Sequence, residues 1–137
     1  MSETNQKIAI VIPAYKVGRQ ICDVLNAVPS GIDHVIVVDD ACPEESGKLV
    51  EQNSFEQIDS LSVLFHQKNK GVGGAVITGY KKAIELGCDV VVKIDGDGQM
   101  DLGQIPALVR PLLLNKADYV KGNRFVDFKA LRSMPKL

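Results

Sequence analysis

Two carboxylates separated by a single glycine are the sharpest chemical feature of the sequence. Asp95 and Asp97 directly follow an apolar, β-branched run, and Gly96 and Gly98 let the backbone turn tightly around them. Carboxylate oxygens suit Mg²⁺ or Mn²⁺, and Mg²⁺ commonly takes one or two carboxylates and completes its shell with substrate phosphates and water. The pair therefore predicts a metal–diphosphate site, with helix capping by both carboxylates as the structural alternative.

A second acidic pair, Asp39 and Asp40, ends another apolar run. A carboxylate at this position is able to accept hydrogen bonds from a nucleobase N–H or from ribose hydroxyls. The alternative is a turn or a helix cap ahead of Pro43, and the pair by itself does not decide between the two.

A glycine-rich segment, residues 69–75, leads into a predicted helix. Exposed backbone N–H groups and the helix dipole at such an entry favour anions. The segment has neither the spacing of the dinucleotide-binding fingerprint nor the Gly-Lys-Ser/Thr ending of a Walker phosphate loop. Close packing of the helix on a sheet is the alternative role for these glycines.

Four other reactive or charged side chains carry weaker indications. Arg124 is able to neutralise a phosphate, although a surface arginine is the alternative. His34 and His66 are interpreted as strand-edge packing or surface residues rather than catalysts, because no carboxylate or nucleophile motif accompanies either of them. Cys42, in the turn after Asp40, is interpreted as a bystander.

The amino-acid composition excludes some classes of protein and favours others. The 137 residues are 45% hydrophobic and 24% charged with a net charge of −1, which favours one globular domain and argues against a nucleic-acid binder. Aromatic residues make up only 5%, which argues against a base-stacking surface. Residues 116–137 carry six basic and two acidic side chains. That excess suits phosphate or an anionic membrane, although a solvated terminus is the simpler interpretation.

Cysteine usage and the polar start indicate a compartment. The three cysteines include no Cys-x-x-Cys pair, which favours a reducing environment over a disulfide framework or a zinc site. The first seven residues are polar and lack the apolar core of a signal peptide, and no apolar run is long enough to span a bilayer. We therefore expect a cytoplasmic protein.

Apolar β-branched runs alternate with helical patterns along the chain. The strand pattern covers residues 7–12, 34–38, 61–65, 89–94 and 119–122, and Pro13 is expected to end the first strand. Helical periodicity covers residues 18–28, 43–53, 71–86 and 102–114, with Gly87 as the cap of the third helix. The apolar face of that helix is expected to comprise Val76, Ile77, Tyr80, Ala83 and Ile84. The alternation predicts a parallel sheet covered on both faces, and the chemical segments fall at the carboxyl ends of its strands, where such sheets bind ligands.

Five motifs occur in order along the chain: Ile12-Pro13-Ala14-Tyr15, Val38-Asp39-Asp40, Asn69-Lys70-Gly71 with Gly73-Gly74-Ala75, Asp95-Gly96-Asp97-Gly98-Gln99 and Gly122-Asn123-Arg124. Together they resemble the family 2 glycosyltransferases of the GT-A fold, and within them most closely the polyprenyl (dolichyl) phosphate mannosyl- or glucosyltransferases. Each motif is short, but the five occur in order and at fitting spacing. The resemblance implies an α/β fold that is Rossmann-like and three-layered, with a mostly parallel sheet.

The resemblance also implies roles for individual residues. Asp95 and Asp97 would be the catalytic D-x-D pair that binds a divalent ion, Mg²⁺ or Mn²⁺, with Gln99 near the metal. The residues that would bind the nucleotide or the donor are Pro13, Ala14, Tyr15, Asp39, Asp40, Asn69, Gly71, Gly73, Gly74, Asp95, Gly96 and Arg124.

The reaction implied is inverting transfer of a sugar from a UDP- or GDP-linked donor to an acceptor such as a polyprenyl phosphate, in cell-wall or polysaccharide biosynthesis. A lipid phosphate is already anionic near neutral pH, so it needs no general base. A lipid acceptor also implies peripheral association with the inner face of the membrane.

One departure from the family concerns length. In the family an acceptor-binding half follows the Gly-Asn-Arg region, whereas this chain stops at Leu137. We therefore expect residues 1–137 to form one nucleotide-sugar-binding domain without that half, with exposed apolar surface that favours a homo-oligomer. The alternatives are a non-catalytic nucleotide-sugar-binding module and a nucleotidyltransferase. The latter is disfavoured because Pro-Ala-Tyr-Lys, and not a glycine-rich loop, follows the first strand.

Overall fold

Short β-branched runs and helices alternate in the computed structural model, which describes residues 6–96, 105, 119–120 and 125–127. The predicted strands over 34–38 and 61–65 and the predicted third helix are confirmed almost to the residue. The elements are β1 (Ile8–Ala14), α1 (Gln20–Asn26), β2 (His34–Asp39), α2 (Ser46–Glu51), β3 (Leu61–Phe65), α3 (Gly71–Glu85), β4 (Val90–Lys93), β5 (Tyr119–Val120) and β6 (Phe125–Asp127).

The strands form a six-stranded sheet in the order β3-β2-β1-β4-β6-β5. Strands β1 to β4 are parallel, whereas β6 runs antiparallel to β4 and β5 runs antiparallel to β6. The predicted mostly parallel sheet is confirmed. Strand β6 was not predicted, because three residues are too few to show a periodicity.

Two apolar cores lie on opposite faces of the sheet, which gives the predicted three layers. Alternate strand residues such as Ile10 and Val35 face α1 and α2, in a core that also includes Ile105. Their neighbours, such as Val11 and Ile36, face α3. The parallel strands are therefore apolar on both faces, as expected for strands that are covered on both sides.

Small residues allow α3 to lie close to the sheet. Its buried positions are Ala75, Gly79 and Ala83, at a spacing of four residues. A Cβ atom added at Gly79 would lie 2.3 Å from Val11 Cγ1, so only glycine permits this approach. The predicted apolar face is confirmed for Ala83, which is buried, and for Tyr80 and Ile84, which pack against this core, but it is wrong for Ile77, which is 38% exposed.

Strand β1 extends beyond its predicted end. Pro13 does not end the strand, because β1 continues to Ala14 and pairs with β2 over that length. The Ala14 carbonyl accepts from the Asp40 N–H at 3.0 Å, so the backbone polar groups of Ala14 point toward β2. Those of Pro13, one residue earlier, point toward the other neighbouring strand, β4. Pairing with β4 stops at Lys93, and the N–H that proline lacks is therefore not needed there.

Helix boundaries follow local backbone geometry. Helix α2 starts at Ser46 and not at residue 43, because Glu45 before it has a left-handed backbone with φ of 53°. Helix α1 is also shorter than predicted at both ends. The predicted cap at Gly87 is confirmed: its φ is 79°, and the N–H groups of Gly87 and Cys88 donate to carbonyls of the last turn.

Candidate active site

A cleft of about 430 Å³ lies at the carboxyl ends of β1, β2 and β4. Its position is the one that parallel α/β sheets use for ligands. Four separate sequence segments predicted to carry chemistry meet in it. The lining residues are Pro13, Ala14, Tyr15, Lys16, Val17, Gln20, Asp40, Asn69, Gly71, Val72, Ala75, Asp95 and Gly96.

The end of β1 and the turn after it form one wall of the cleft. Tyr15 is 40% exposed, and the Lys16 ammonium lies 5.4 Å from the centre of its ring. Lys16 has a left-handed backbone with φ of 57°, which turns the chain sharply after β1. Its N–H donates to Cys42 Sγ at 3.1 Å, so the turn is tied to the loop after β2.

Asp40 places a charged carboxylate at the end of β2. Its Oδ1 accepts from His66 Nδ1 at 2.7 Å and from the Lys70 N–H at 2.8 Å, and its side chain is only 3% exposed. Burial opposes ionisation, but the hydrogen bonds from the His66 ring and from the Lys70 and Gly71 N–H groups outweigh it and lower the pKa of Asp40 below 3.8. The carboxylate therefore stays ionised at neutral pH.

Asp39 is used differently from its neighbour. Its Oδ1 accepts from the Cys42 N–H at 2.7 Å, and its Oδ2 accepts from the Gly47 N–H at 2.8 Å. A Cβ atom at Gly47 would lie 2.9 Å from that same Oδ2, so the approach needs glycine. Asp39 is buried, does not line the cleft, and holds the turn and the start of α2, which matches the structural alternative for this residue of the pair.

The glycine-rich segment contributes its first residues to the cleft. Asn69 Nδ2 donates to the Asp40 carbonyl at 3.2 Å, and Gly71 has a φ of 82°, which favours glycine. Gly73 and Gly74 are not among the lining residues. A Cβ atom at Gly74 would lie 2.6 Å from Lys70 Cβ, so this glycine serves close packing within the helix entry.

Asp95 and Gly96 complete the cleft at the end of β4. The Asp95 side chain is 54% exposed, and one carboxylate oxygen lies 2.5 Å from Lys93 Nζ, whose side chain is 4% exposed. A Cβ atom at Gly96 would lie 3.3 Å from Ile21 and 3.5 Å from the Pro13 carbonyl, so the backbone passes close to β1. Within the part of the chain that the structure describes, no group of three or more His, Cys, Asp or Glu side chains is placed to hold a metal ion.

Comparison with known proteins identifies the family. The profile of the family described as "Glycosyl transferase family 2" matches residues 9–137. The chain belongs to this family. The resemblance predicted from the five motifs is therefore confirmed.

Two curated relatives carry names that describe lipid-phosphate glycosyltransferases. The chain is 34% identical over 143 aligned residues to the UDP-N-acetylglucosamine–dolichyl-phosphate N-acetylglucosaminyltransferase of Methanococcus voltae, covering 96% of this chain and 57% of that protein. It is 32% identical to the undecaprenyl-phosphate mannosyltransferase of Micrococcus luteus, covering 88% of this chain and 49% of that protein. The chain spans about half the length of these relatives.

A solved structure supports the fold. Glucosyl-3-phosphoglycerate synthase of Mycobacterium tuberculosis, crystallised with Mg²⁺ and UDP, superposes with a TM-score of 0.58 at 22% identity, covering 80% of this chain and 40% of that one. The likeness confirms the α/β fold predicted for this family 2 chain.

No helix among residues 6–96 is long and apolar enough to cross a membrane.

Several residues of the cleft were not predicted from the sequence. Lys16, Val17 and Gln20 follow the β1 motif directly, so their position at a strand end was the available signal. His66 has a carboxylate partner, Asp40, contrary to the expectation that no carboxylate accompanies it. Its signal was its place immediately after β3. Cys42, expected to be a bystander, has a structural role, because its Sγ bonds to the Lys16 N–H and to Ser46 Oγ.

Three predicted site residues lie outside the described residues: Asp97, Gln99 and Arg124. Most of the predicted helix over 102–114 also lies outside them, with Ile105 as its one described position, helical and buried. The structure therefore brings together Asp40, Asp95 and the segments around Pro13 and Asn69, whereas Asp39 does not line the cleft.

Proposed function

We propose that this family 2 chain binds a nucleoside-diphosphate sugar in the cleft and supplies the donor site of an inverting glycosyltransferase. The observation that carries the proposal is the meeting of Asp40 and Asp95, from the ends of two strands, at one cleft. One carboxylate is buried and anchored by hydrogen bonds, and the other is exposed. This arrangement suits a ligand with a hydrogen-bonding end and a diphosphate end. In this proposal residues 1–137 act as one nucleotide-sugar-binding domain.

The nucleoside end of the donor is assigned to the side of the cleft near Asp40. An ionised carboxylate accepts strong hydrogen bonds from base N–H or ribose O–H groups. Tyr15 offers an exposed ring, and Val72 offers exposed apolar surface on the α3 side. A few fixed polar groups in a largely apolar cleft are what orient a small ligand.

The diphosphate end is assigned to Asp95. Oxygen ligands of this kind fit Mg²⁺ or Mn²⁺, and one or two carboxylates suffice when substrate phosphates complete the shell. Asp95 would hold the ion together with Asp97 and Gln99, and Arg124 would lie near the phosphates. When bound, such an ion stabilises negative charge on the departing diphosphate. Asp95 presents its carboxylate, with Lys93 as a neighbouring cation that partly balances the charge.

The acceptor is assigned to a polyprenyl phosphate. The relatives from Methanococcus voltae and Micrococcus luteus are named for dolichyl and undecaprenyl phosphate. An anionic phosphate attacks the anomeric carbon without losing a proton, so no base is required of the residues in this cleft. The product class is a lipid-linked sugar for polysaccharide assembly, made at the cytoplasmic face of a membrane.

A binding panel tests the proposal. The 137-residue chain is heated with UDP, GDP and their sugar conjugates, with and without Mg²⁺ or Mn²⁺, and hits are measured by calorimetry. We expect one nucleotide series to stabilise the chain in a metal-dependent way, and Asp97→Ala to abolish that dependence while the fold survives. Equal binding with and without metal would remove the metal role. A flat panel would overturn the proposal, and binding without sugar transfer to polyprenyl phosphate would favour the non-catalytic module.

A further inference from the structure

We propose that His66 is a positioning residue that holds the Asp40 carboxylate in the orientation needed to recognise the nucleotide part of the donor. The inference rests on the proposed function of the cleft. His66 does not line the cleft itself, so any effect on a ligand must pass through Asp40 or the loop that follows His66.

His66 lies at the junction of three elements. It is the first residue after β3, and its N–H donates to the Asp39 carbonyl at 2.9 Å. The ring turns inward, and its side chain is 6% exposed. Nδ1 lies 2.7 Å from Asp40 Oδ1, and Nε2 lies 2.8 Å from Thr78 Oγ1 on α3. One imidazole therefore connects the ends of β2 and β3 to the helix that forms the opposite side of the cleft.

The hydrogen bonds specify how the ring is used. Thr78 Oγ1 lies 3.1 Å from the Gly74 carbonyl and 2.8 Å from Nε2, so the hydroxyl connects the His66 ring to the backbone of α3. Asp40 is an ionised carboxylate with a lowered pKa, so it accepts from Nδ1. Each ring nitrogen therefore lies within hydrogen-bond distance of an oxygen on a neighbouring element, Asp40 Oδ1 after β2 and Thr78 Oγ1 on α3.

This network restricts Asp40 more than a single contact would. Oδ1 is held by the His66 ring from one side and by the Lys70 N–H from another. The Asp40 carbonyl also accepts from Asn69 Nδ2, so the carboxylate and the loop over 69–71 are held together. Loss of the His66 donor would leave a buried carboxylate with one partner fewer, held only by N–H groups of the loop over 69–71. A preorganised group binds more tightly because less ordering is lost on binding.

Two substitutions separate the two ring nitrogens. The Asn side-chain amide lies near the position of Nδ1, and the Gln amide reaches the position of Nε2. His66→Asn therefore keeps a donor to Asp40 and loses the link to Thr78, whereas His66→Gln keeps the Thr78 side and loses the donor to Asp40. His34 supplies the matched control, because its Nδ1 bonds to Ser60 Oγ at 2.8 Å at the other end of the sheet.

Calorimetry with UDP and with GDP, in the presence of Mn²⁺, measures the effect on the full 137-residue chain. We expect His66→Gln to lower the affinity for the preferred nucleotide about tenfold, which corresponds to the loss of one strong hydrogen bond. His66→Asn is expected to stay within about threefold, and His34→Gln to leave affinity unchanged. In the double variant with Asp40→Asn, His66→Gln should add no further loss, because both changes remove the same interaction.

The outcomes separate this inference from the function on which it rests. If the wild-type chain binds neither nucleotide, the proposed function fails and the inference falls with it. If the wild type binds and His66→Gln binds equally well, only the role of His66 is lost. Additive losses in the double variant would indicate a general structural effect and would also overturn the inference. If His66→Gln fails to fold, Thr78→Val removes the hydrogen-bond partner of Nε2 instead. Unchanged nucleotide affinity in Thr78→Val, together with additive losses of affinity in the His66→Asn and Asp40→Asn double variant, would contradict the proposal.

Discussion

At the amino end of the parallel strands carboxylates hold the backbone together, whereas at the carboxyl end they line a cleft. Asp33 Oδ2 accepts from the Ile8 N–H at 2.8 Å, and Asp89 Oδ2 accepts from the Lys7 N–H at 2.9 Å. Both contacts secure the start of β1. At the opposite end Asp40 and Asp95 line the cleft, and Asp40 receives its hydrogen bonds from a side chain and a loop.

Position in the sheet, rather than residue type, therefore separates structural from functional candidates. The two histidines divide in the same way: His34 pairs with Ser60 at the amino end, and His66 pairs with Asp40 at the carboxyl end. Parallel strands present all their carboxyl ends at one edge, so ligand-binding groups accumulate there. Asp39 is the exception that lies near the cleft and still serves the backbone.

The largest expected difference between the ends is in nucleotide affinity. Asp40→Asn should weaken UDP or GDP binding by tenfold or more, about 1.4 kcal/mol, because it removes a charged acceptor from the cleft. Asp33→Asn should leave the affinity within about twofold and reduce the free energy of unfolding by about 1 kcal/mol through the weakened bond to Ile8. Calorimetry and urea unfolding of the wild type and both variants measure the two quantities.

Asp39→Asn extends the same test to the other member of the acidic pair. It should reduce stability, because Asp39 accepts two buried backbone N–H groups, and it should change affinity less than Asp40→Asn does. If Asp39→Asn lowered the nucleotide affinity more than Asp40→Asn did, then Asp39 and not Asp40 would be the donor-binding carboxylate.

Helix α3 runs from the cleft toward the amino end, and its glycines give the next largest effect. Gly79→Ala should lower the free energy of unfolding by about 1–2 kcal/mol, because the clash with Val11 outweighs the gain in helix propensity. Gly73→Ala is the matched control, since a Cβ atom there meets nothing within 4 Å, and it should raise stability by up to about 1 kcal/mol. Denaturant unfolding compares the two.

The same pair tests the expected contact of Gly73 with the donor. Gly73 does not line the cleft, so Gly73→Ala should leave nucleotide affinity unchanged. A loss of affinity in a stabilised Gly73→Ala protein would place the donor nearer to the helix entry than the cleft lining indicates.

The sheet could be predicted well from the sequence because its strands are buried on both faces. Continuous apolar runs such as 34–38 and 61–65 are typical of strands in a covered parallel sheet, and their ends follow from polar residues and glycines. The predicted end of β1 at Pro13 is wrong because tertiary pairing carries the strand further, and the predicted start of α2 at residue 43 is wrong because Glu45 has a left-handed backbone. Neither is visible in local periodicity.

The cleft could be predicted only as a set of segments. Strand order brings Pro13, Asp40 and Asp95 to one edge, and the alternation of strands and helices indicates that edge. Asp39 holds the backbone and Asp40 lines the cleft because successive side chains point to opposite sides of a strand. The partnership of His66 with Asp40 joins positions 26 residues apart, and nothing in the spacing indicates it.

The smallest expected effect is the pH dependence of stability, which differs between the two ends of the sheet because their titrating groups have opposite pKa shifts. Hydrogen bonds at the carboxyl end lower the pKa of Asp40, whereas burial at the amino end, reinforced by the negative charge of Asp33, raises the pKa of the Cys88 thiol to about 11 from 9.0. A thiol that ionises less readily in the folded state stabilises the fold fully below pH 9 and loses that contribution as the pH rises toward 11.

Cys88→Ala removes this contribution, so the difference in unfolding free energy between wild type and variant should shrink as the pH rises from about 9 toward 11. Lysine and tyrosine titrations are common to both proteins and cancel in the difference. A difference that stays constant with pH would mean that the Cys88 thiol ionises equally well in both states, and that the amino end is more open to water than its packing implies. The opposite pH response belongs to Asp40, whose contribution is present above pH 3.8 and lost only as the pH falls through its lower folded-state value.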